Sequence, residues 1–224
     1  MPKYNTAVYN QMETDTHKSL LHLNDDCLIE VFNYLSLEEI FNVIDIQHPR
    51  LAEIAHQKIA SIKHLNIEIR EFPNFTSKQL RIIGENLRSF TMTVGYSIPT
   101  ITVFNILEPL CEGAALTNQL REFKLNYVYI NKHLCDFIGK AAHNLEKVDL
   151  SYCQLTDELL IEFLKQCTNL IELHIFGNYT LRGNFLRNCF MPNMRILKLE
   201  MHADWSFPIE EFVIEHPDIQ LIII

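Results

Sequence analysis

Seven times along the chain the sequence spells one six-residue pattern, apolar-x-x-apolar-x-apolar. The units are "IKHLNI" from Ile62, "LRSFTM" from Leu87, "LREFKL" from Leu120, "LEKVDL" from Leu145, "LIELHI" from Leu170, "MRILKL" from Met194 and "IQLIII" from Ile219. Their starts are 25, 33, 25, 25, 24 and 25 residues apart. Alternation of apolar and other residues suits a half-buried strand, and a fixed period gives every unit the same neighbours. Helical spacing fills the intervals. "TDELLIEFLKQCTN" sets Leu159, Leu160, Phe163, Leu164 and Cys167 on one face, and "NKHLCDFIGKAAHN" does so with Leu134, Phe137, Ile138, Ala141 and Ala142. "TSKQLRIIGEN" opens on a capping box, Thr76 with Gln79 three residues on. A strand, a helix and a parallel strand form a one-handed unit. Stacked, such units bury each other's apolar sides. The expected fold class is α/β: a solenoid over residues 62–224, with a parallel sheet on its concave face and helices on its convex face. The interval of 33 residues carries an excess of eight over the common 25, around "GYSIPTITVFNILEP".

The period also predicts a surface. In each unit the three apolar positions point inward, and the residues between them point to the open face. One column is then His64, Ser89, Glu122, Lys147, Glu172 and Ile196. The next is Asn66, Thr91, Lys124, Asp149, His174 and Lys198. The third is Glu68, Thr93, Asn126, Ser151, Phe176 and Glu200. Tyr127 and Tyr152 fall just past their strands. Neighbouring strands sit about 4.8 Å apart, so Glu122, Lys147 and Glu172 are expected to neutralise one another, as are Lys124 and Asp149. Such ladders keep an open sheet soluble. Phe176, Tyr127 and Tyr152 read as anchors, because aromatic residues dominate interface energetics. The candidate partner-binding set is Lys124, Tyr127, Lys147, Asp149, Tyr152, His174, Phe176 and Lys198.

Ahead of the repeat, "LNDDCLIEVFNYLSLEEIFNVI" spans Leu23 to Ile44 and reads as two short helices. Asn24 is the expected N-cap of the first, with Asp25 and Asp26 where the helix dipole favours acids. Ser36 and Glu39 form a capping box for the second. Pro49 suits the first turn of a third helix, in which Leu51, Ile54, Ala55, Ile59 and Ile62 recur at helical spacing. On the first helix Leu28, Ile29, Val31, Phe32 and Leu35 cover an arc of about 160°. Leu37, Ile40, Phe41, Val43 and Ile44 cover as much of the second. A core-facing stripe is nearer about 100°, so the surplus is expected to meet a partner. Residues 1–20 show no period and read as a mobile tail.

Composition narrows the function classes. The 224 residues carry a net charge of −9, which argues against general binding to nucleic acid or an anionic membrane. No apolar run reaches the length of a membrane span. Cys27, Cys111, Cys135, Cys153, Cys167 and Cys189 form no CxxC pair. They read as reduced thiols of a cytoplasmic or nuclear protein. His133 and Cys135 are close in sequence but lack further ligands at suitable spacing. No motif supports a catalytic set, and six glycines form no phosphate loop. No cofactor, no metal and no enzyme activity are expected.

Two resemblances join these observations. "LEKVDLSYCQLTDELLIEFLKQCTN" resembles the cysteine-containing leucine-rich repeat, with Cys153 at the turn after the strand and Asn178 at the same place one repeat later. Residues 23–55 resemble an F-box through Leu23 and Asn24, "CLIEVFNYL", "SLEEIFNVI" and "RLAEIA". Asn24 stands where that family usually has Pro, and Leu51 where Trp or Phe is common. The resemblance implies a small three-helix F-box over 21–61 that docks on a Skp-type adaptor. Through the adaptor it reaches the cullin and RING subunits of a ubiquitin ligase, while the repeats hold a protein substrate. The implied adaptor-binding residues are Leu23, Asn24, Leu28, Ile29, Phe32, Leu35, Ile40 and Leu51. The alternative is a leucine-rich-repeat scaffold outside ubiquitination, whose helical head is only a solenoid cap. The strand in "IQLIII" would present an apolar edge, which proteins usually cover. A partner, the substrate or the N-terminal tail is expected on it.

Overall fold

A computed structural model describes residues 20–69, 75–188 and 192–224. The tail expected over 1–20 lies outside the described residues except for Leu20, and so does Cys189.

After a short 3-10 turn at Leu20–His22 come α1 (Asp25–Asn33), α2 (Leu37–Asp45) and α3 (Pro49–Ser61). Their starts follow the capping chemistry. The Cys27 N–H donates to Asn24 Oδ1 at 2.9 Å. Glu39 N–H donates to Ser36 Oγ at 3.3 Å, and Ser36 N–H returns a bond to Glu39 Oε2 at 2.7 Å. Pro49 opens α3, where no N–H partner is needed. One side chain ties the head together. Arg50 donates to Asp25 Oδ1 at 2.8 Å, to the Leu21 carbonyl at 2.9 Å and to the Leu23 carbonyl at 2.6 Å.

Strands and helices then alternate. They are β1 (His64–Glu68), α4 (Ser77–Gly84), β2 (Ser89–Thr93), α5 (Thr100–Thr117), β3 (Glu122–Asn126), α6 (Lys132–Lys140) and β4 (Lys147–Asp149). After these come α7 (Asp157–Leu164), β5 (Glu172–His174), α8 (Asn184–Asn188), β6 (Ile196–Leu199), α9 (Ile209–Glu215) and β7 (Gln220–Ile223). The seven strands among the described residues are all parallel, and their order in the sheet is their order in the chain. Each crossover therefore adds a strand to the same edge, and the sheet grows in one direction only. Phe90, Phe123, Val148, Leu173 and Leu197 form one buried row, and Met92, Leu125, Leu150, Ile175 and Leu199 the next. Leu28, Phe32, Ile40 and Phe41 of the head belong to the same continuous core. Phe41 stands edge-on to Phe75 at 5.7 Å.

The period has a polar basis at both ends of the strands. At the entry, one carbonyl accepts two N–H groups from the next repeat: Arg121 O takes Glu146 N at 2.8 Å and Lys147 N at 3.0 Å, and Glu146 O and Ile171 O repeat this. Asparagine side chains add a second stitch. Asn144 donates to Asn118 O, Asn169 to His143 O and Asn193 to Thr168 O, at 3.0, 3.2 and 3.0 Å. At the exit, Asn178 accepts from the N–H of Cys153 and of Leu155, both at 3.0 Å, and donates to Leu150 O at 2.9 Å. Cys153 matches it one repeat earlier, donating to Leu125 O at 3.0 Å. The eight-residue excess goes into α5, which is 18 residues long and includes Pro109. It crosses α4 closely, since a Cβ on Gly84 would overlap the Leu110 carbonyl and one on Gly113 the Arg81 carbonyl.

The seventh unit departs from the expected phase. Ile219 packs on the core as predicted, but Leu221 pairs with Leu197 and Ile223 with Leu199. Ile222 therefore joins the open column beside Lys198, and Ile224 is exposed. One residue fewer separates Ile219 from its strand than in the other units. Four consecutive apolar residues show no alternation, so the phase could not be read there. Among the described residues no strand lies on the outer side of β7. None of the described helices is long and apolar enough to cross a membrane. No group of three His, Cys, Asp or Glu among the described residues could hold a metal ion.

Candidate functional site

The pairing register sets out two predicted columns residue by residue. His64, Ser89, Glu122, Lys147, Glu172 and Ile196 are successive partners, as are Asn66, Thr91, Lys124, Asp149, His174 and Lys198. Around Thr91, Lys124, Lys147, Asp149, Glu172 and His174 the open face has a shallow depression of about 220 Å³. Its charges are largely spent on one another. Lys147 pairs with Glu122 at 3.4 Å and Lys124 with Asp149 at 3.1 Å. Glu172 does not join Lys147, contrary to expectation. It takes His174 at 2.7 Å and Lys198 at 3.0 Å, both on Oε1, because both donors lie one column over and reach that oxygen directly. The His174 hydrogen bond, and after it Lys198, hold the Glu172 carboxyl below its ordinary value against a desolvation effect of opposite sign. Burial would raise Asp149, but hydrogen bonds from Ser151 and the Lys124 ammonium outweigh it and lower the carboxyl. This network can orient a partner, but it supplies no nucleophile or free base.

The third column is a correction. Asn126 and Ser151 are buried rather than open. The chain bends into its turn there, and Asn126 Nδ2 faces the next repeat, donating to Asp149 Oδ1 at 3.1 Å and to Ser151 O at 3.3 Å. Phe176, in the same column, is half-buried beside His174.

What stands out past the strands is a row of tyrosines. Tyr127 and Tyr152 stack with centroids 4.7 Å apart and planes 6° from parallel. Tyr96 meets Tyr127 edge-on at 6.1 Å, and its hydroxyl donates to Tyr152 O at 2.9 Å. The Tyr152 ring also lies over Gly177, where a Cβ would collide with it. Both stacked residues have a φ of 59°, and Gly177, at the same place one repeat later, has 63°. A side chain in this left-handed region costs about 1–2 kcal/mol. Stacking returns about 0.5–1.5 kcal/mol for the pair. Glycine would therefore serve the turn better, and the rings are held at a cost the fold alone does not explain. The Tyr127 phenol, and then desolvation, push the Tyr152 phenol up. At Tyr96 burial is the first cause of a like shift. Both phenols are thus held in the neutral form. The sequence reading missed Tyr96 and Tyr179, both well exposed. Tyr96 sits in the long interval where the period is lost, and Tyr179 sits three residues past Phe176.

The head divides the other predicted set. Leu28, Phe32 and Ile40 are buried in the chain's own core, where they support the helices. Leu23, Asn24 and Ile29 are exposed, and Leu35 and Leu51 half-buried. The chain itself thus covers more of both apolar arcs than expected; on α2 the arc holds no fully exposed residue. Leu20, Leu21, Tyr34 and Ile46 extend the exposed apolar surface beyond the predicted residues. A groove of about 340 Å³ runs between α1 and α3, lined by Ile29, Phe32, Ile54 and Lys58 among others. No protein-family model matches the chain, and a search of curated proteins finds no match.

Proposed function

We propose that the chain is the substrate-recognition subunit of a Skp–cullin–F-box type ubiquitin ligase, with residues 21–61 as an F-box and 62–224 as cysteine-containing leucine-rich repeats. The observation that carries this reading is a set of exposed apolar residues, Leu20, Leu21, Leu23 and Ile29, on a three-helix head fused to a repeat whose open face is polar. The equivalent turn roles of Cys153 and Asn178 support the repeat assignment. On this reading the chain performs no bond chemistry. The head binds a Skp-type adaptor, and the repeats keep a protein substrate at high effective concentration beside the charged conjugating enzyme.

The test is titration of the purified chain with a Skp-type adaptor by calorimetry. The variant to compare is Leu23→Asp with Ile29→Asp, both on exposed positions. Burying each apolar side chain contributes about 1.5–3 kcal/mol, so the double variant should lose binding while its circular dichroism stays unchanged. Wild-type chain that ignores the adaptor would refute the assignment. One observation favours the scaffold alternative: the head shares a continuous core with the sheet, as a solenoid cap would. Under that reading the adaptor does not bind, so the same titration separates the two.

A further inference from the structure

We infer that the tyrosine rim at the strand exits, Tyr96, Tyr127, Tyr152 and Tyr179 with Glu200, docks an extended, arginine-bearing segment of a partner protein. This names the substrate class for the repeats and rests on their reading as the partner-holding part of the chain.

Three observations lead there. The first is the conformation of Tyr127 and Tyr152, two tyrosines at φ 59° where the next repeat uses glycine. Their rings are fixed by stacking and by the Tyr96 edge, so a partner meets a pre-ordered surface and orders little on binding. The second is charge. The exit segments 94–98, 127–131, 152–156 and 177–181 carry no charged residue. At the next exit Glu200 accepts the Gly177 N–H at 3.1 Å, and it has no ion pair to a cation among the described residues. Asp204, beyond it, is already paired with Arg182 at 2.7 Å. The third is the shape of what is offered. The faces of Tyr127 and Tyr152 are turned to each other, and Tyr152 also covers Gly177, so the stack presents ring edges and phenolic oxygens. Tyr179 is the most exposed ring of the row.

A surface of phenolic oxygens with one uncompensated carboxylate asks for donors and positive charge. A guanidinium supplies both, with five N–H groups in a plane that can bridge a carboxylate and a phenol and lie on an open ring. The row steps from repeat to repeat by about 4.8 Å, the strand spacing, so the ligand crossing it is extended.

The experiment uses the full chain and three fluorescein-labelled peptides of about a dozen residues, alternating Ser with Arg, with Lys or with Glu. Anisotropy should show the Arg peptide binding, the Lys peptide more weakly and the Glu peptide not at all. Tyr127→Gly with Tyr152→Gly relieves the backbone and removes the rings. It should fold as well as wild type and weaken the Arg peptide by about tenfold or more. Glu200→Gln should abolish the preference for Arg over Glu. Equal binding of the Arg peptide to wild type and the Tyr→Gly variant would overturn the inference, as would equal binding of the Glu peptide. So would a wild-type dimer that this variant dissociates, since the rim would then belong to a second copy. Adaptor titration of the same variants should be unchanged. Adaptor binding without peptide binding defeats this inference alone, and peptide binding without adaptor binding defeats only the ligase reading.

Discussion

Replacing Asn178 by Ala should be among the most damaging single changes in the repeat. The side chain is buried and serves two repeats at once. Its Oδ1 takes the N–H of Cys153 and of Leu155, each at 3.0 Å, and its Nδ2 serves the carbonyls of Leu150, Ile175 and Phe176 at 2.9, 2.9 and 3.2 Å. Alanine leaves two buried N–H groups without a partner. At about 1–3 kcal/mol for each unsatisfied group the loss is about 4 kcal/mol, a large share of the 5–15 kcal/mol typical of a folded domain. Cysteine at this position should cost about half as much. At the preceding turn the Cys153 thiol meets the backbone at Val128 and donates to Leu125 O at 3.0 Å, so a thiol can fill part of the role. Urea unfolding followed by circular dichroism gives the stability loss, and hydrogen exchange at the Cys153 and Leu155 amides locates it. A loss below about 1 kcal/mol with both amides still protected would refute the reasoning.

Three further outcomes follow from the same geometry. Burial pushes Cys111 and Cys153 up to about 12 and Cys135 to about 11, so a thiol reagent under native conditions should modify exposed Cys27 before these three, and peptide mapping checks the order. Gly84→Ala sets a Cβ against the Leu110 carbonyl of α5; it should cost about 2 kcal/mol and lower Tm by about 4–8 °C, and an unchanged melting curve would mean that the two helices are not in close contact. Asp149 and Glu172 both have lowered pKa values, so their stabilisation is present above about pH 4 and is lost as pH falls through the lowered values. Glu172→Gln should therefore be less stable than wild type at neutral pH, with the two stability curves converging in acid.

The period was legible because it is enforced twice, by burial and by hydrogen bonds. Inward residues recur because each strand packs on helices. The Asn144, Asn169 and Asn193 stitches recur because each strand entry leaves the same carbonyl to satisfy. Helix starts were legible for a local reason: Asn24, Ser36 and Thr76 complete their caps within three residues. The failures share a cause as well. Where the pattern lost its contrast, as in the four apolar residues 221–224, nothing local marked the inward side. At the end of a strand, as at Asn126, the last residue of β3, and just past it, as at Ser151, alternation no longer decided direction. On the head, helical spacing gave the apolar arc, but how much of it α3 would cover depended on tertiary packing.

The tyrosine rim shows how a repeat turns stability into a surface. A residue in one repeat has its counterpart one strand spacing away, so side chains at the same turn position are brought to stacking distance without any dedicated contact. Tyr127, Tyr152 and Gly177 occupy one such position, 25 residues apart. Two of the three carry rings in a backbone conformation that glycine fills freely. Had the turn alone been under selection, the glycine of the third repeat would suit all three. The third position has to be glycine for a different reason: the Tyr152 ring occupies the space its Cβ would need. Adding a ring at 177 would thus push Tyr152 off its stack, and removing the rings at 127 and 152 would leave the turns intact. The two kinds of substitution differ: Gly177→Ala strains the turn and displaces the Tyr152 ring together, whereas Tyr→Gly removes the rings and relaxes the turns. Stability and partner binding measured on both variants would separate what the turn needs from what the rim is for.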